Sequence, residues 1–215
     1  MKSRVAIFRI IALALISISP LIAWLGWKEN KKTSEFPPEI AKALGKPVKI
    51  KVKPGPNIFR EPRFWTNQFG EQIDIQKLIG KPYLATFIYT RCFKECLLTI
   101  VDLKRIEKML GGDKAKVNII LFSFDPENDT PAVLEQYSKK FDVSQKRWTF
   151  LTSTPKELKK ITEDFKFEFK KQGDFFGHTV TIAIIGKDGK ILRQFYGNNP
   201  SYREIVKEFK NSFFN

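Results

Sequence analysis

The stretch Tyr83-Leu-Ala-Thr-Phe-Ile-Tyr-Thr-Arg-Cys-Phe-Lys-Glu-Cys96 decides the fold, because it joins an apolar run directly to a pair of cysteines. Residues 83–89 are almost entirely apolar and predict a strand buried on both faces at the centre of a sheet. From Cys96 to Leu110 the apolar side chains recur at helical spacing, and Gly111-Gly112 ends that pattern. The stretch therefore predicts a central strand, a cysteine turn and a helix in direct succession.

The segments that follow alternate between strand and helix patterns. Asp129 or Thr130 before Pro131 predicts the start of one helix, and the capping-box arrangement Thr154-Pro155-Lys156-Glu157 predicts the start of another. The resulting order, β-α-β-α-β-α-β-β-α, predicts an α/β domain with a mixed sheet covered by helices on both faces. The other expected elements are strands at Phe64–Phe69, Val117–Phe124, Trp148–Leu151, Thr179–Ile185 and Ile191–Tyr196, and a last helix at Ser201–Phe214.

An apolar segment near the N-terminus predicts a membrane anchor. Residues Ile10 to Trp27 carry no charge, and at about 1.5 Å per residue they span about 27 Å, close to a hydrocarbon core of about 30 Å. A cleaved signal peptide is the alternative, but Trp24-Leu25-Gly26-Trp27-Lys28 fits the small-residue pattern of a cleavage site poorly. We expect an uncleaved transmembrane helix at residues 1–27, a linker at 28–55 with a short strand at Val48, Ile50 and Val52, and a folded domain at 56–215.

This anchor also predicts a location for the protein. The apolar segment begins too early to leave room for a mitochondrial transit peptide, which favours a bacterial source. A long C-terminal domain can cross the membrane regardless of the charges that flank its anchor. We therefore expect a single-pass protein of the bacterial inner membrane, with its C-terminal domain facing the periplasm or the cell exterior.

Composition narrows the functional classes further. Lys and Arg total 38 against 23 Asp and Glu, which gives a net charge of +15. The basic residues are scattered, which fits a solvated, lysine-rich surface and also suits anionic lipids or an acidic protein partner, while no nucleic-acid signature is present. Only two cysteines occur, too few for a disulfide scaffold. We therefore expect no nucleic-acid partner, and expect the cysteines to serve redox chemistry or metal ligation.

Cys92 and Cys96 stand four positions apart at the start of the first predicted helix. Side chains at i and i+4 share a helical face, so both thiols can reach one ion or close into a disulfide. A helix N-terminus favours the thiolate, and so do Arg91 and Lys94, whereas Glu95 opposes it. Soft thiolates suit Cu(I) and also bind zinc. A pair of buried core thiols is the alternative, but the charged residues between the cysteines predict an exposed turn.

Further motifs accompany the cysteine pair. The pair itself lies in the stretch Phe87–Cys96. The other motifs are Ser123–Pro131, Gly177-His178-Thr179, and Lys81-Pro82 before the central strand. Together they resemble the Sco/SenC family of thioredoxin-like copper chaperones for cytochrome oxidase assembly, over residues 64–214. The resemblance implies a thioredoxin-like mixed sheet flanked by helices. The chain departs from the family pattern at Phe93 and Leu97, where proline usually follows each cysteine, and at Glu95, because the usual acid lies one step earlier.

The resemblance also implies a ligand set. His178 is the only histidine in the chain, and taken alone it fits a surface or core position as readily as a ligand position. By the resemblance it binds copper together with Cys92 and Cys96, from a loop that precedes a strand and packs against the cysteine turn. Copper in either oxidation state suits this set, and zinc is chemically possible. We expect Asp125 either to lie beside the site as a tuning acceptor or only to build a turn, and Asp129 to form a turn or helix cap.

Three functions are open at this stage. The first is a metallochaperone that passes copper to the copper-site subunit of a terminal oxidase, and it needs both cysteines and His178. The second is a membrane-anchored thiol–disulfide oxidoreductase that reduces the cysteines of such a partner and is itself served by a thiol reductant. It needs Cys92 and Cys96 but not His178. The third is a membrane-tethered basic binding module without chemistry, which needs none of the three residues.

Overall fold

The structure is a computed structural model, and it describes residues 54–92, 95–111, 117–197 and 201–214. The expected anchor at 1–27, almost all of the expected linker and the expected strand at residues 48–52 lie outside the described residues. Within the described ranges, no helix combines the length and the apolar character needed to cross a bilayer.

Two sheets are built from strands that, in chain order, span Phe64–Asn67 (β1), Gln72–Asp74 (β2), Tyr83–Ile88 (β3), Asn118–Ser123 (β4), Trp148–Thr152 (β5), Phe169–Gln172 (β6), Phe175–His178 (β7), Thr181–Ile185 (β8) and Ile191–Tyr196 (β9). The larger sheet has the order β2-β1-β5-β4-β3-β8-β9, and its central strands β3, β4 and β5 run parallel. Strand β8 pairs antiparallel with β3, and β6 and β7 form a separate two-stranded sheet. The sheet is therefore mixed, with β3 in its interior.

The α-helices of the described residues span Glu95–Met109 (α1), Pro131–Lys140 (α2), Pro155–Phe165 (α3) and Tyr202–Phe213 (α4). Hydroxyl groups cap three of them by accepting a hydrogen bond from a backbone N–H of the first turn. Thr130 caps α2, Thr154 caps α3 and Ser201 caps α4, with N···O distances of 3.3 to 3.4 Å. The cap of α2 is thus Thr130 and not Asp129, the other residue that the sequence offered for that position.

Helices cover both faces of the large sheet. The parallel crossovers β3-α1-β4 and β4-α2-β5 turn in the same sense, which puts α1 and α2 on one face. On that face the ring of Tyr137 in α2 packs at 6.3 Å from Phe150 of β5. On the opposite face Phe165 of α3 packs at 5.2 Å from Phe87 and 6.0 Å from Phe122. Both faces of the central strands are therefore buried, as the continuous apolar run at residues 83–89 predicts.

The expected strands and helices within the described residues are confirmed close to their expected bounds, and a thioredoxin-like arrangement of helices around a mixed sheet results. Three strands were not expected, β2 and the hairpin β6–β7. Strand β6 has the sequence Phe-Lys-Lys-Gln and carries no apolar alternation, so its pattern does not distinguish a strand from a loop. The expectation that His178 lies in a loop is wrong, because it is the last residue of β7.

Candidate metal centre

The candidate site lies at the edge of the sheet where the parallel strands β3 and β4 end. The backbone N–H of Phe124, just after β4, donates to the carbonyl of Ile88, the last residue of β3, at 3.0 Å. Cys92 follows β3 closely along the chain, and Cys96 lies in the first turn of α1. In open α/β sheets the crevice outside the carboxyl ends of the strands is the usual place for a binding site.

Three potential ligand atoms converge at this edge. The sulfur atoms of Cys92 and Cys96 and a ring nitrogen of His178 all lie within 4.8 Å of one another. The cysteines are thiols with 4% and 2% of their surface exposed, whereas His178 is half-buried. The expectation of an exposed turn is therefore wrong for the two cysteines, because both thiols point inward onto the core. That the three residues bind a metal stays a prediction, and their convergence makes it geometrically feasible.

The two thiols have different surroundings. The backbone N–H of Cys96 donates to the sulfur of Cys92 at 3.3 Å, so the start of α1 directs positive charge toward Cys92. A hydrogen bond with Cys92, followed by burial, raises the pKa of the Cys96 thiol far above its ordinary value. The expectation that the helix start favours thiolate is therefore wrong for Cys96 in the reduced, metal-free protein. A bound cation would reverse this preference, because metal ligation requires the thiolate.

The hairpin β6–β7 presents His178 with one ring nitrogen already engaged. Its Nδ1 lies 2.7 Å from the carbonyl oxygen of Thr179, which can only accept a hydrogen bond, so Nδ1 carries the proton. With Nδ1 protonated, the lone pair of the imidazole lies on Nε2, and a hydrogen bond from one ring nitrogen to a carbonyl is the arrangement that orients ligating histidines in general. Thr179 is held in turn, since its backbone N–H donates to the carbonyl of Glu168 at 2.9 Å.

Aromatic rings surround the imidazole. The ring centroids of Phe124, Tyr89 and Phe167 lie 5.0, 5.9 and 6.0 Å from that of His178. Phe176 closes the cluster by packing 5.2 Å from Tyr89 and 5.5 Å from Phe124. Burial raises the pKa of Tyr89, and a hydrogen bond with the Cys92 thiol acts in the same direction. The rings therefore supply a water-poor wall, which the sequence signals through its 20 phenylalanines and through Phe175 and Phe176 just before the histidine.

A buried carboxylate fixes the cysteine turn to the sheet. Asp129 is fully buried and accepts hydrogen bonds from the backbone N–H of Thr90 at 3.2 Å and from the hydroxyl groups of Thr90 and Ser123 at 2.5 Å each. Burial raises the pKa of Asp129, although these hydrogen bonds act against that shift. The expectation that Asp129 only forms a turn or a cap is wrong, because its partner Thr90 lies two residues before Cys92.

Asp125 acts on the residue that precedes the first cysteine. Its carboxylate is buried and accepts from Arg91 Nη2 at 2.9 Å and Nε at 3.2 Å, and from Asn128 at 2.9 Å. This ion pair orients Arg91 beside Cys92. Asp125 therefore does more than build a turn, and its effect on a bound metal stays a prediction.

The fold and this site together define a class of protein. A parallel β-α-β unit, an antiparallel hairpin and a closing helix form the thioredoxin-like fold, and here two thiols and an imidazole meet at the strand ends. A family model described as SCO1/SenC matches residues 54–213. The chain belongs to the SCO1/SenC family.

Individual relatives agree with this assignment. The chain is similar to the SCO1 protein homolog of Bacillus subtilis, with 32% identity over 157 residues that cover 71% of this chain and 81% of the relative. Among solved structures, BsSco, a Sco family member described with a disulfide switch, shares 31% identity with a TM-score of 0.63, covering 76% of this chain and 98% of that one. Copper-bound ScoI of Bradyrhizobium japonicum shares 29% identity with a TM-score of 0.60, covering 71% and 98%.

The raised pKa of Cys96 predicts unequal thiol reactivity in the reduced, metal-free protein. Only the thiolate is alkylated, so we expect iodoacetamide at neutral pH to modify Cys92 before Cys96, and modification of Cys96 to accelerate only as the pH rises well above the ordinary thiol range. Trypsin cleaves after Arg91 and Lys94 and places the two cysteines on separate peptides for mass spectrometry. Equal modification of both cysteines at neutral pH would contradict this difference.

The hydrogen bonds of Asp129 predict that Asp129→Ala destabilises the fold. Loss of three hydrogen bonds to this buried carboxylate, which leaves their donors without it, should lower the free energy of unfolding by about 2–3 kcal/mol in a urea titration. The control is Glu163→Ala, at an exposed position of α3, with an expected change below about 0.5 kcal/mol. Similar unfolding midpoints for the two variants would show that Asp129 does not hold the turn.

Proposed function

We propose that this protein is a copper metallochaperone that takes part in assembling a cytochrome oxidase. The observation that carries the proposal is the convergence of the Cys92, Cys96 and His178 ligand atoms within 4.8 Å. Two soft thiolates with one imidazole suit Cu(I), and the same set with water or a further group suits Cu(II). Copper-bound ScoI and BsSco, described as a member of a family of cytochrome c oxidase assembly proteins, are related in sequence and fold and support it.

The burial of the three residues suits a copper ion that is bound and then released to a partner protein. The two sulfur atoms lie under the protein surface, whereas the half-buried His178 stands at its edge. Three protein ligands leave a coordination position that a partner's thiolate can occupy. Transfer then proceeds by exchange of one ligand at a time, from the cysteines of this chain to those of the copper-site subunit of a terminal oxidase.

Thiol–disulfide exchange is a second candidate function for the same cysteines. Their sulfur atoms lie within 4.8 Å of each other, and the related BsSco is described as having a disulfide switch. In this reaction Cys92 and Cys96 give up two electrons and two protons to a partner's disulfide, which becomes two thiols while the pair forms its own disulfide. A thiol reductant must then restore the pair. The two functions are compatible, because copper-site cysteines must be reduced before they accept the metal.

We also propose where the protein works. Residues 1–27 would anchor it in a bacterial inner membrane, with the described domain facing the periplasm or the cell exterior. The uncharged segment Ile10–Trp27, with Trp24 and Trp27 at its outer end, supports this placement. A copper carrier held at that surface would share the membrane with the terminal oxidase that it serves.

Copper titration of the reduced full-length chain in detergent tests the ligand set. Wild type should bind one Cu(II) with thiolate-to-copper charge-transfer absorption, and His178→Ala should weaken binding by at least about 10-fold. Cys92→Ser and Cys96→Ser should each diminish the charge-transfer band. The matched control is Phe175→Ala, which removes an exposed ring from the same strand and should leave the affinity unchanged.

The same variants separate the two candidate functions. If His178→Ala binds copper as tightly as wild type, the three-ligand carrier is wrong. If the reduced wild type retains no copper but still reduces a disulfide substrate, and His178→Ala does so equally well, the cysteines form a redox dithiol. Activity that survives in Cys92→Ser in both assays would contradict both proposals.

A further inference from the structure

The end of the domain opposite the metal centre carries a distinct surface. Lys81 and Lys187 line a shallow cavity of about 390 Å³ there, together with the aromatic residues Phe213 and Phe214 at the end of α4. The backbone N–H of Gly80 donates to the carbonyl of Lys187 at 2.8 Å, which holds the two basic segments together. We call this surface, formed by Ile79, Lys81, Lys187 and Phe214, the basal face.

Strand direction separates the basal face from the metal centre. Strand β3 starts two residues after Lys81 and leads into Cys92 at its other end. Strand β8 runs antiparallel to β3, with Ile185 opposite Tyr83, so Lys187 lies beside the start of β3. A strand of this length spans about 20 Å, so the two surfaces occupy opposite ends of the sheet.

The chemistry of the basal face is cationic and apolar at once. Lys81 and Lys187 are exposed, and among the described residues no carboxylate lines the cavity. The adjacent Asp188 is engaged by Lys190 at 3.1 Å. The large apolar side chains of Ile79 and Phe214 are 49% and 50% exposed. Exposed apolar groups beside lysines are typical of surfaces that meet the headgroup region of an anionic bilayer.

The path of the described chain into the domain begins on the side of the basal face. The backbone N–H groups of Gly55 and Ile58 donate to the carbonyls of Ile191 and Gly189 at 2.7 and 2.9 Å. The chain thus enters the domain against the β8–β9 turn, which also carries Lys187. The apolar segment Ile10–Trp27 precedes this entry point. If the segment Ile10–Trp27 lies in a bilayer, attachment on this side raises the effective concentration of lipid near the basal face.

We propose that the basal face, through Lys81, Lys187, Ile79 and Phe214, docks onto the anionic lipid headgroups of the bilayer that holds the anchor. This inference rests on the membrane anchor of the proposed function and is independent of copper binding. Docking fixes the orientation of the domain, so that Cys92, Cys96 and His178 face away from the lipid. The site is then presented toward a protein partner that projects from the same membrane.

Lysine labelling of the full-length chain in liposomes tests this orientation. Vesicles of phosphatidylglycerol are compared with vesicles of phosphatidylcholine, and acetylation rates are followed by mass spectrometry. An anionic surface strengthens the binding of a nearby lysine roughly fivefold. Acetylation of Lys81 and Lys187 should therefore be about fivefold slower with phosphatidylglycerol vesicles than with phosphatidylcholine vesicles. High salt should abolish this difference, because it screens the attraction. Lys156 and Lys159, exposed on α3, serve as internal controls and should label at similar rates in both lipids.

A matched pair of variants tests the role of charge. Lys81→Gln should restore labelling of Lys187 in phosphatidylglycerol vesicles, whereas Lys156→Gln should leave Lys187 protected. Equal labelling of Lys187 in the two lipids would overturn the proposal. Equal slowing of Lys156 and Lys187 would also overturn it, because it would report only the lower surface pH of anionic vesicles.

Flotation of the same samples distinguishes this inference from the anchor on which it rests. A chain that floats with phosphatidylcholine vesicles but shows no protection of Lys81 and Lys187 in phosphatidylglycerol keeps the anchor and refutes the docking face. A chain that floats only with phosphatidylglycerol refutes the anchor, and the proposed docking beside that anchor is refuted with it even if Lys81 and Lys187 are protected. Flotation with neither lipid refutes both, and none of these outcomes depends on copper.

Discussion

The buried carboxylate of Asp129 is the constraint on which the site depends. It accepts hydrogen bonds from Thr90, just after β3, and from Ser123, at the end of β4, so it ties the cysteine turn to the sheet. With Thr90 fixed, the chain places Cys92 where its sulfur accepts the backbone N–H of Cys96 at the start of α1. A second buried carboxylate, that of Asp125, orients Arg91, which lies between Thr90 and Cys92 in the chain. The positions of both thiols thus follow from polar contacts beneath the turn.

The third potential ligand comes from a separate part of the chain. His178 is carried by the hairpin β6–β7, which packs its aromatic side chains onto the rings at the ends of β3 and β4. Its Nδ1 proton is committed to the carbonyl of Thr179, so the lone pair of the imidazole lies on the other nitrogen. The three groups need no long movement to meet one ion. The differing burial of the thiols and the imidazole suits a site that binds copper and later releases it to a partner.

Local patterns predict the parts of this structure that depend on local physics. The apolar run of β3, the helical spacing after Cys96 and the hydroxyl cap at Thr154 follow from periodicity and capping, and all are present. Convergence of His178 on the cysteines was expected only through the resemblance to the Sco/SenC family, because nothing near His178 identifies its spatial neighbours. The role of Asp129 was missed since its partner Thr90 lies 39 positions away. Strand β6 was missed because its exposed lysines give no alternating pattern.

X-ray absorption spectroscopy of the copper-loaded full-length chain tests the central claim most directly. Two sulfur scatterers and one imidazole should surround the copper, and His178→Ala should remove the imidazole contribution while both sulfur scatterers remain. Because His178 is the only histidine in the chain, an imidazole signal identifies it without ambiguity. A wild-type spectrum without imidazole scattering, or with fewer than two sulfur neighbours, would contradict a copper site built from Cys92, Cys96 and His178.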